Sequence, residues 1–399
     1  MRIVHTVTLT GDDGAYGGPV SVATGQLAEL AARGHEVALV SLWRGRAAPP
    51  RTLDGVPLRA HRARTLVPGQ GFLGLFNPRL ALTLWRLAGR ADVLHVHAGR
   101  DLVSLAALAA AVLRRRPFVV QTHGMVQPRH SAAVRLFDRC YVPLLRRARA
   151  ALVLTGAEET GLRRVLRPGG PPTVRLPNGV RPPQGGEGEP EDRPDGADVL
   201  FLARLHRRKR PEAFVRMAAL VRAKHLDASF TLHGADEGRL TPVRRLIAEE
   251  GLREAVEYGG PLNHAAAVRR ISRATVYVLP SVDEPFPMSV LEALAAGTPV
   301  VCTDSCGIAG ELERRGAALV TDGSPGALAG AVLSLLEDRS LRERTAAAGR
   351  AAVRERFSVA AVADRLERLY GAAVRAILGE GVLIGRSTHT ETEVDALAQ

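Results

Sequence analysis

A chain of 399 residues is longer than one compact hydrophobic core usually serves, so two domains are expected. With 46% hydrophobic and 24% charged residues the composition argues against a disordered or fibrous protein, and no apolar run reaches membrane-spanning length. The formal charge of +13 is unevenly held, with net +16 over residues 1–181 and −3 over 182–399, and Lys209 and Lys224 are the only lysines.

Short β-branched runs alternate with Ala/Leu-rich stretches of helical period through the first half. Arg2 to Leu9 reads as a strand, followed by a Gly-rich loop from Gly11 to Gly18. Pro19 is expected to open a helix running to about Arg33 and closed by Gly34. Further strands are expected at Val37 to Trp43, Val93 to His97, Phe118 to Thr122 and Ala151 to Leu154. Several are continuous apolar runs, which suits a parallel sheet covered on both faces and hence a doubly wound α/β domain over residues 1–180. Residues 181–197 are rich in Pro, Gly and acid and read as a linker. The alternation restarts with strands at Val199 to Leu202, Ser229 to His233, Val256 to Tyr258, Thr275 to Leu279 and Pro299 to Thr303. A second α/β domain is therefore expected over 198–357, then a helix over 358–378 returning to the first domain, then a loose tail over 379–399. Cys140, Cys302 and Cys306 are too few and scattered for a disulfide framework or zinc site, and no signal peptide precedes the first strand. A cytoplasmic protein is expected.

Ligands of open parallel sheets bind beyond the carboxyl ends of the strands, and three loops there carry candidate chemistry. Gly17 and Gly18, just before a helix, let the backbone approach a ligand and aim free N–H groups at it; a flexible loop explains them equally well. Arg204 to Arg210 is a basic cluster directly after the first strand of the second half. It holds Lys209, a compact point charge in a chain that otherwise uses arginine, which suits a phosphate reached end-on. The third loop, Ser281 to Leu294, places Glu284 before a helix and Glu292 about a turn and a half inside it. Uncapped N–H groups near Met288 to Val290 would then lie between two carboxylates spaced for separate sugar hydroxyls.

Taken together, these motifs are specific. Arg204-x4-Lys209, then Glu284-x7-Glu292 within E-P-F-x4-L-E-A-L-A-A-G-x-P-V-V, resembles glycosyltransferase family 4, whose members are retaining, nucleotide-sugar-dependent enzymes of the GT-B fold. The likeness extends through Gly17-Gly18, Gly34-His35-Glu36-Val37, Pro177-Asn178-Gly179-Val180 and Cys306-Gly307-Ile308-Ala309-Gly310-Glu311-Leu312. It implies two facing Rossmann-like domains with a cleft between them. By the same resemblance, Arg204 and Lys209 would bind and stabilise the departing diphosphate, Glu292 the donor ribose, and Glu284 the transferred sugar. Backbone groups of Phe286, Met288 and Ser289 would cradle sugar and phosphate; Pro287 lies in that run but has no N–H. Gly17 and Gly18 would close on the diphosphate, and His123 would contact the sugar and the acceptor side. No metal and no cofactor is implied, cationic side chains neutralising the leaving group. The chain departs from the resemblance at Pro19-Val20-Ser21, where many relatives carry an acid after the glycine pair.

The expected partners are a nucleotide-sugar donor and a hydroxyl acceptor, the latter a lipid-linked saccharide, a polysaccharide or a small natural product. A GT-B epimerase and a non-catalytic nucleotide-sugar-binding protein are the alternatives. A phosphorylase would be much longer and would need Lys224 for its cofactor. Few aromatics stand among the arginines, which argues against nucleic acid. Arg129, Arg135, Arg139, Arg146, Arg147 and Arg149 accompany Val134, Leu136, Phe137, Leu144 and Leu145, a pattern suited to an anionic membrane leaflet or to a solvated face of an Arg-rich chain.

Overall fold

The computed structural model describes residues 1–11, 17–67, 74–129, 131–181 and 197–378. The first half runs β1 (Arg2–Gly11), α1 (Gly17–Ala32), β2 (Glu36–Arg44), β3 (Thr52–Leu53), β4 (Val56–Arg62), β5 (Arg64–Thr65), β6 (Leu75–Phe76), α2 (Pro78–Ala88), β7 (Val93–His97), α3 (Leu102–Leu113), β8 (Phe118–Gln121), α4 (Ala132–Leu145), β9 (Ala150–Val153), α5 (Gly156–Leu166) and β10 (Thr173–Arg175). Eight strands form one sheet in the order β10-β9-β8-β7-β1-β2-β4-β3, parallel except for the β3–β4 hairpin. One apolar core lies beneath α2, α3 and α4 and a second on the opposite face beneath α1, as expected for strands that are hydrophobic on both sides.

The second half runs β11 (Asp198–Leu202), α6 (Pro211–Arg222), β12 (Ser229–His233), α7 (Leu240–Glu249), β13 (Val256–Tyr258), α8 (His264–Arg273), β14 (Val276–Leu279), α9 (Met288–Ala295), β15 (Val300–Thr303), α10 (Ala309–Arg314), β16 (Leu319–Thr321), α11 (Pro325–Glu337), α12 (Arg339–Ala352) and α13 (Val359–Leu378). Six parallel strands are ordered β13-β12-β11-β14-β15-β16, again between two apolar cores. A π-helical turn at Val353–Phe357 separates α12 from α13. It is followed by a bridge between Ser358 and Val180, and α13 then packs on α1 of the first sheet. Arg33, just after α1, fixes that contact through Asp364 (2.5 Å) and Glu367 (2.9 Å), and His35 adds a 2.7 Å contact to Glu367.

The expected strands coincide with observed ones to within a residue or two, while the first helix begins at Gly17 instead of Pro19. Strands β3 to β6, β10 and β16 were not expected. Residues 12–16 of the Gly-rich loop, 182–196 of the linker and the tail 379–399 lie outside the described residues. A Cβ at Gly307, after β15, would sit 2.9 Å from Thr155 Cγ2, after β9. The carboxyl-terminal edges of the two sheets thus face one another.

Candidate active site

Strand order reverses between β11 and β14, and a crevice opens beyond the carboxyl ends of an open parallel sheet at such a switch. The loops leaving these two strands are stapled together. The Val282 N–H donates to the Arg208 carbonyl (2.8 Å), and the Arg208 guanidinium donates to the Asp283 carbonyl. Lys209, on a short 3-10 turn at Arg207–Lys209, thereby meets Glu284: Nζ lies 2.5 Å from Oε2, with both side chains largely buried. Two groups 75 positions apart in sequence become one ion pair. A third strand-end loop backs it, since the Gly307 N–H donates to the Glu284 carbonyl at 2.8 Å. A side chain at Gly307 would collide with the Pro285 carbonyl oxygen, so only glycine permits that approach.

Next to the pair, α9 starts at Met288 behind Pro287, which offers no side-chain cap. The first N–H groups of the helix are therefore open to an anion or a hydroxyl. Phe286 is half-buried against the Phe357 ring (6.3 Å between centroids), and Ser289 is held by the Tyr277 hydroxyl at 2.7 Å. That hydroxyl also donates to the Leu202 carbonyl (3.0 Å), locking the end of β11 to the first turn of α9. Glu292 faces the exposed His264 imidazole at 3.6 Å; burial pushes its carboxyl up, and His264 pulls it part of the way back. Arg204 is mostly exposed and pairs with Glu237 (2.6 Å) instead of joining Lys209 and Glu284.

On the facing edge, Gly17 and Gly18 form the first turn of α1, and space around Gly18 is open. His123 follows β8 in the left-handed backbone region (φ 48°), which is uncommon for a residue other than glycine. Glu158 imposes that turn. One carboxylate oxygen accepts from Thr122 Oγ1 (2.5 Å) and the Gly124 N–H (2.6 Å), and the other accepts from the Leu154 N–H (2.7 Å). His123 Nε2 contacts His97 Nδ1 at 2.8 Å with the rings stacked, and burial brings its pKa down to about 4. It is a neutral imidazole at pH 7.

The structure thus gathers Lys209, Glu284, Glu292 and the Phe286–Ser289 turn on one edge and sets His123, Gly17 and Gly18 on the other. Sequence reasoning missed Glu158, Glu237, His264 and Tyr277. Glu158 carried a signal, since Thr155-x-x-Glu158 has the form of a capping box before α5. The basic stretch near α4 is divided between core and surface. Leu145 is buried and Phe137 and Leu144 pack against the core, leaving Leu136 as the exposed apolar side chain. Arg146 is turned inward to the Leu166 carbonyl (2.7 Å), whereas Arg129, Arg135, Arg139, Arg147 and Arg149 are exposed.

Two family descriptions match the chain: Glycosyl transferase 4-like domain over residues 17–179 and Glycosyl transferases group 1 over 188–352. A D-inositol 3-phosphate glycosyltransferase of Paenarthrobacter aurescens is 32% identical over 155 residues, 38% of each chain. A glycogen synthase of Mycobacterium tuberculosis is 28% identical over 293 residues, 72% of this chain and 70% of that one. The alignment with the first of these therefore spans well under half of its length. Among solved structures, Anabaena HepE in complex with UDP superposes with a TM-score of 0.72 at 19% identity, covering 93% of this chain and 100% of that one. A glycosyltransferase from Rickettsia africae gives 0.70 at 16% identity, covering 95% and 99%. At such identities the superpositions establish the fold, GT-B.

Proposed function

We propose that this chain, which belongs to the group 1 glycosyltransferases, moves a hexosyl group from a nucleotide-diphosphate sugar to a hydroxyl acceptor with retention at the anomeric carbon. The Lys209–Glu284 pair beside the uncapped start of α9 carries this reading, because it sets a cation, a carboxylate and free N–H donors at one switch point. A bound donor would place its diphosphate against Lys209 and the α9 amides and its ribose hydroxyls against Glu292, with Glu284 left to accept from the sugar. The bond from the anomeric carbon to the phosphate oxygen breaks, and the acceptor oxygen bonds to that carbon. The acceptor's proton passes to the departing phosphate. Charge building on the phosphate is met by preorganised donors, with no metal or cofactor required for that role. Arg204 joins the phosphate by releasing Glu237, an exposed pair that holds it weakly.

HepE, of the same fold, is described as bound to UDP-glucose, which supports a nucleotide-sugar donor for this chain. The acceptor is a lipid-linked saccharide, a polysaccharide or a small natural product, and the site is read as cytoplasmic. Any contact with an anionic leaflet comes from the exposed arginines around α4 and is mainly electrostatic, since Leu145 is buried and Phe137 and Leu144 are turned to the core. A panel of nucleotide sugars tested with and without hydroxyl acceptors decides the activity. Acceptor-dependent release of nucleoside diphosphate is expected. Conversion of the sugar without an acceptor would instead make the chain an epimerase, and binding without turnover a non-catalytic one.

A further inference from the structure

Beneath His123 the first sheet buries a polar seam where an apolar one would be expected. His5, His95 and His97 are 0–1% exposed, on the face that otherwise packs Ile3, Val7 and Leu27 against α13. Tyr370, from α13, is also fully buried, and its hydroxyl lies 2.6 Å from His95 Nδ1 and 3.0 Å from His5 Nε2. His5 Nδ1 is 3.1 Å from His97 Nε2, whose ring continues to His123 through the 2.8 Å contact. Three of these histidines hold nitrogens within 4.8 Å of one another, the spacing of metal ligands. Every ring nitrogen of the three except His95 Nε2 is already engaged in this chain, so hydrogen bonding accounts for the cluster.

Burial pushes His5, His95 and His97 well down, so each imidazole is neutral and carries one N–H. One hydroxyl between two ring nitrogens donates to one and accepts from the other, which leaves the chain two polarities. In one, the spare N–H falls on His95 Nε2, buried and without a hydrogen-bond partner. In the other it falls on His123 Nδ1, which has no partner among the described residues on a half-buried side chain at the cleft edge. A buried orphan N–H costs more than a buried lone pair.

We propose that Tyr370 is a positioning residue: through His5 and His97 it fixes the His123 proton on Nδ1, making this nitrogen a hydrogen-bond donor to an oxygen of the bound substrate. The substrate half of this statement rests on the glycosyl-transfer reading; the proton's location does not. Long-range proton–nitrogen spectra of the full chain labelled at histidine nitrogen, with His123 assigned by comparison with His123→Gln, test the location without substrate. The expected wild-type spectrum shows His123 protonated at Nδ1 near pH 7, and in Tyr370→Phe that form loses population to the Nε2–H form. In the transfer assay, Tyr370→Phe should lower kcat about tenfold with donor KM within about twofold. A wild-type His123 protonated at Nε2 overturns the proposal, as does a His123 tautomer unmoved in a folded Tyr370→Phe. If Tyr370→Phe does not fold, the wild-type spectrum alone decides. The expected spectra without sugar transfer from any donor would sink the functional reading and leave the chain of bonds standing.

Discussion

Glu292 shows how single residues divide the work of the site. Its carboxyl is raised by burial and answered on the protein side by an exposed imidazole at 3.6 Å. A group so placed gains by accepting two hydroxyls from a ligand, which replace the lost water. Glu292→Ala should therefore raise donor KM by about tenfold to a hundredfold and change kcat much less, since the interaction is the same in ground and transition states. Initial-rate kinetics over donor concentration read this directly; an unchanged KM with a collapsed kcat would move Glu292 into the chemistry. The Lys209–Glu284 pair is expected to behave differently, because in the proposed reaction a diphosphate would compete with a carboxylate for the ammonium. Loss of the pair is felt where charge develops.

At the scale of elements, the turns after the strands decide the geometry, and they differ in how far the sequence reveals them. The long strands of both sheets and the motif Glu284-x7-Glu292 were legible because apolar runs and acid spacing are local properties. Strand β4 was hidden by Pro57, although its alternating burial marks a half-exposed strand, and β10 and β16 span three residues each. The contact of Lys209 with Glu284 and the histidine chain were not legible. They need the strand order, which puts His5 beside His95 and brings Tyr370 back from 275 positions away. Glu158 lies between these cases, visible as a capping box but not as the clamp on the His123 turn. Replacing it by Ala unpairs three donors, of which the Thr122 hydroxyl is fully buried, so Glu158→Ala should cost about 1–3 kcal/mol. A urea titration checks this. A loss under 1 kcal/mol, within the range of an ordinary surface change, would mean that the turn holds without it.

For the whole molecule, burial of four neutral histidines ties stability to pH. His5, His95, His97 and His123 all have folded pKa values below the ordinary 6.5, so below that pH the unfolded chain binds more protons than the folded one. Stability is then fully present above about pH 7 and falls on acidification by up to about 1.4 kcal/mol per pH unit for each group, until the folded groups themselves protonate. The buffered carboxyl of Glu367, held down by His35 and Arg33 at the α1–α13 contact, adds a further loss below about pH 4.5. Denaturant unfolding between pH 7.5 and 4.5 should therefore show a steep decline beginning near pH 6.5, and a flat profile down to pH 5 would contradict it. The charge asymmetry makes a separate prediction. Flotation with anionic vesicles should show binding at low ionic strength that vanishes at about 0.5 M salt, through the exposed arginines of the first domain. Binding that persists in high salt would require an apolar insertion, and the packing of Phe137 and Leu144 argues against it.

In the proposed reaction a sugar leaves its diphosphate at the switch point between β11 and β14, and Lys209 meets the charge that develops there. Single-turnover release of nucleoside diphosphate at saturating donor and acceptor, compared between wild type and Lys209→Ala, tests it most directly. The expected rate for the variant is lower by roughly a hundredfold or more, the effect of removing one preorganised charge stabiliser. A variant that turns over at the wild-type rate would remove Lys209 from the mechanism and with it the assignment of this crevice as the reacting centre.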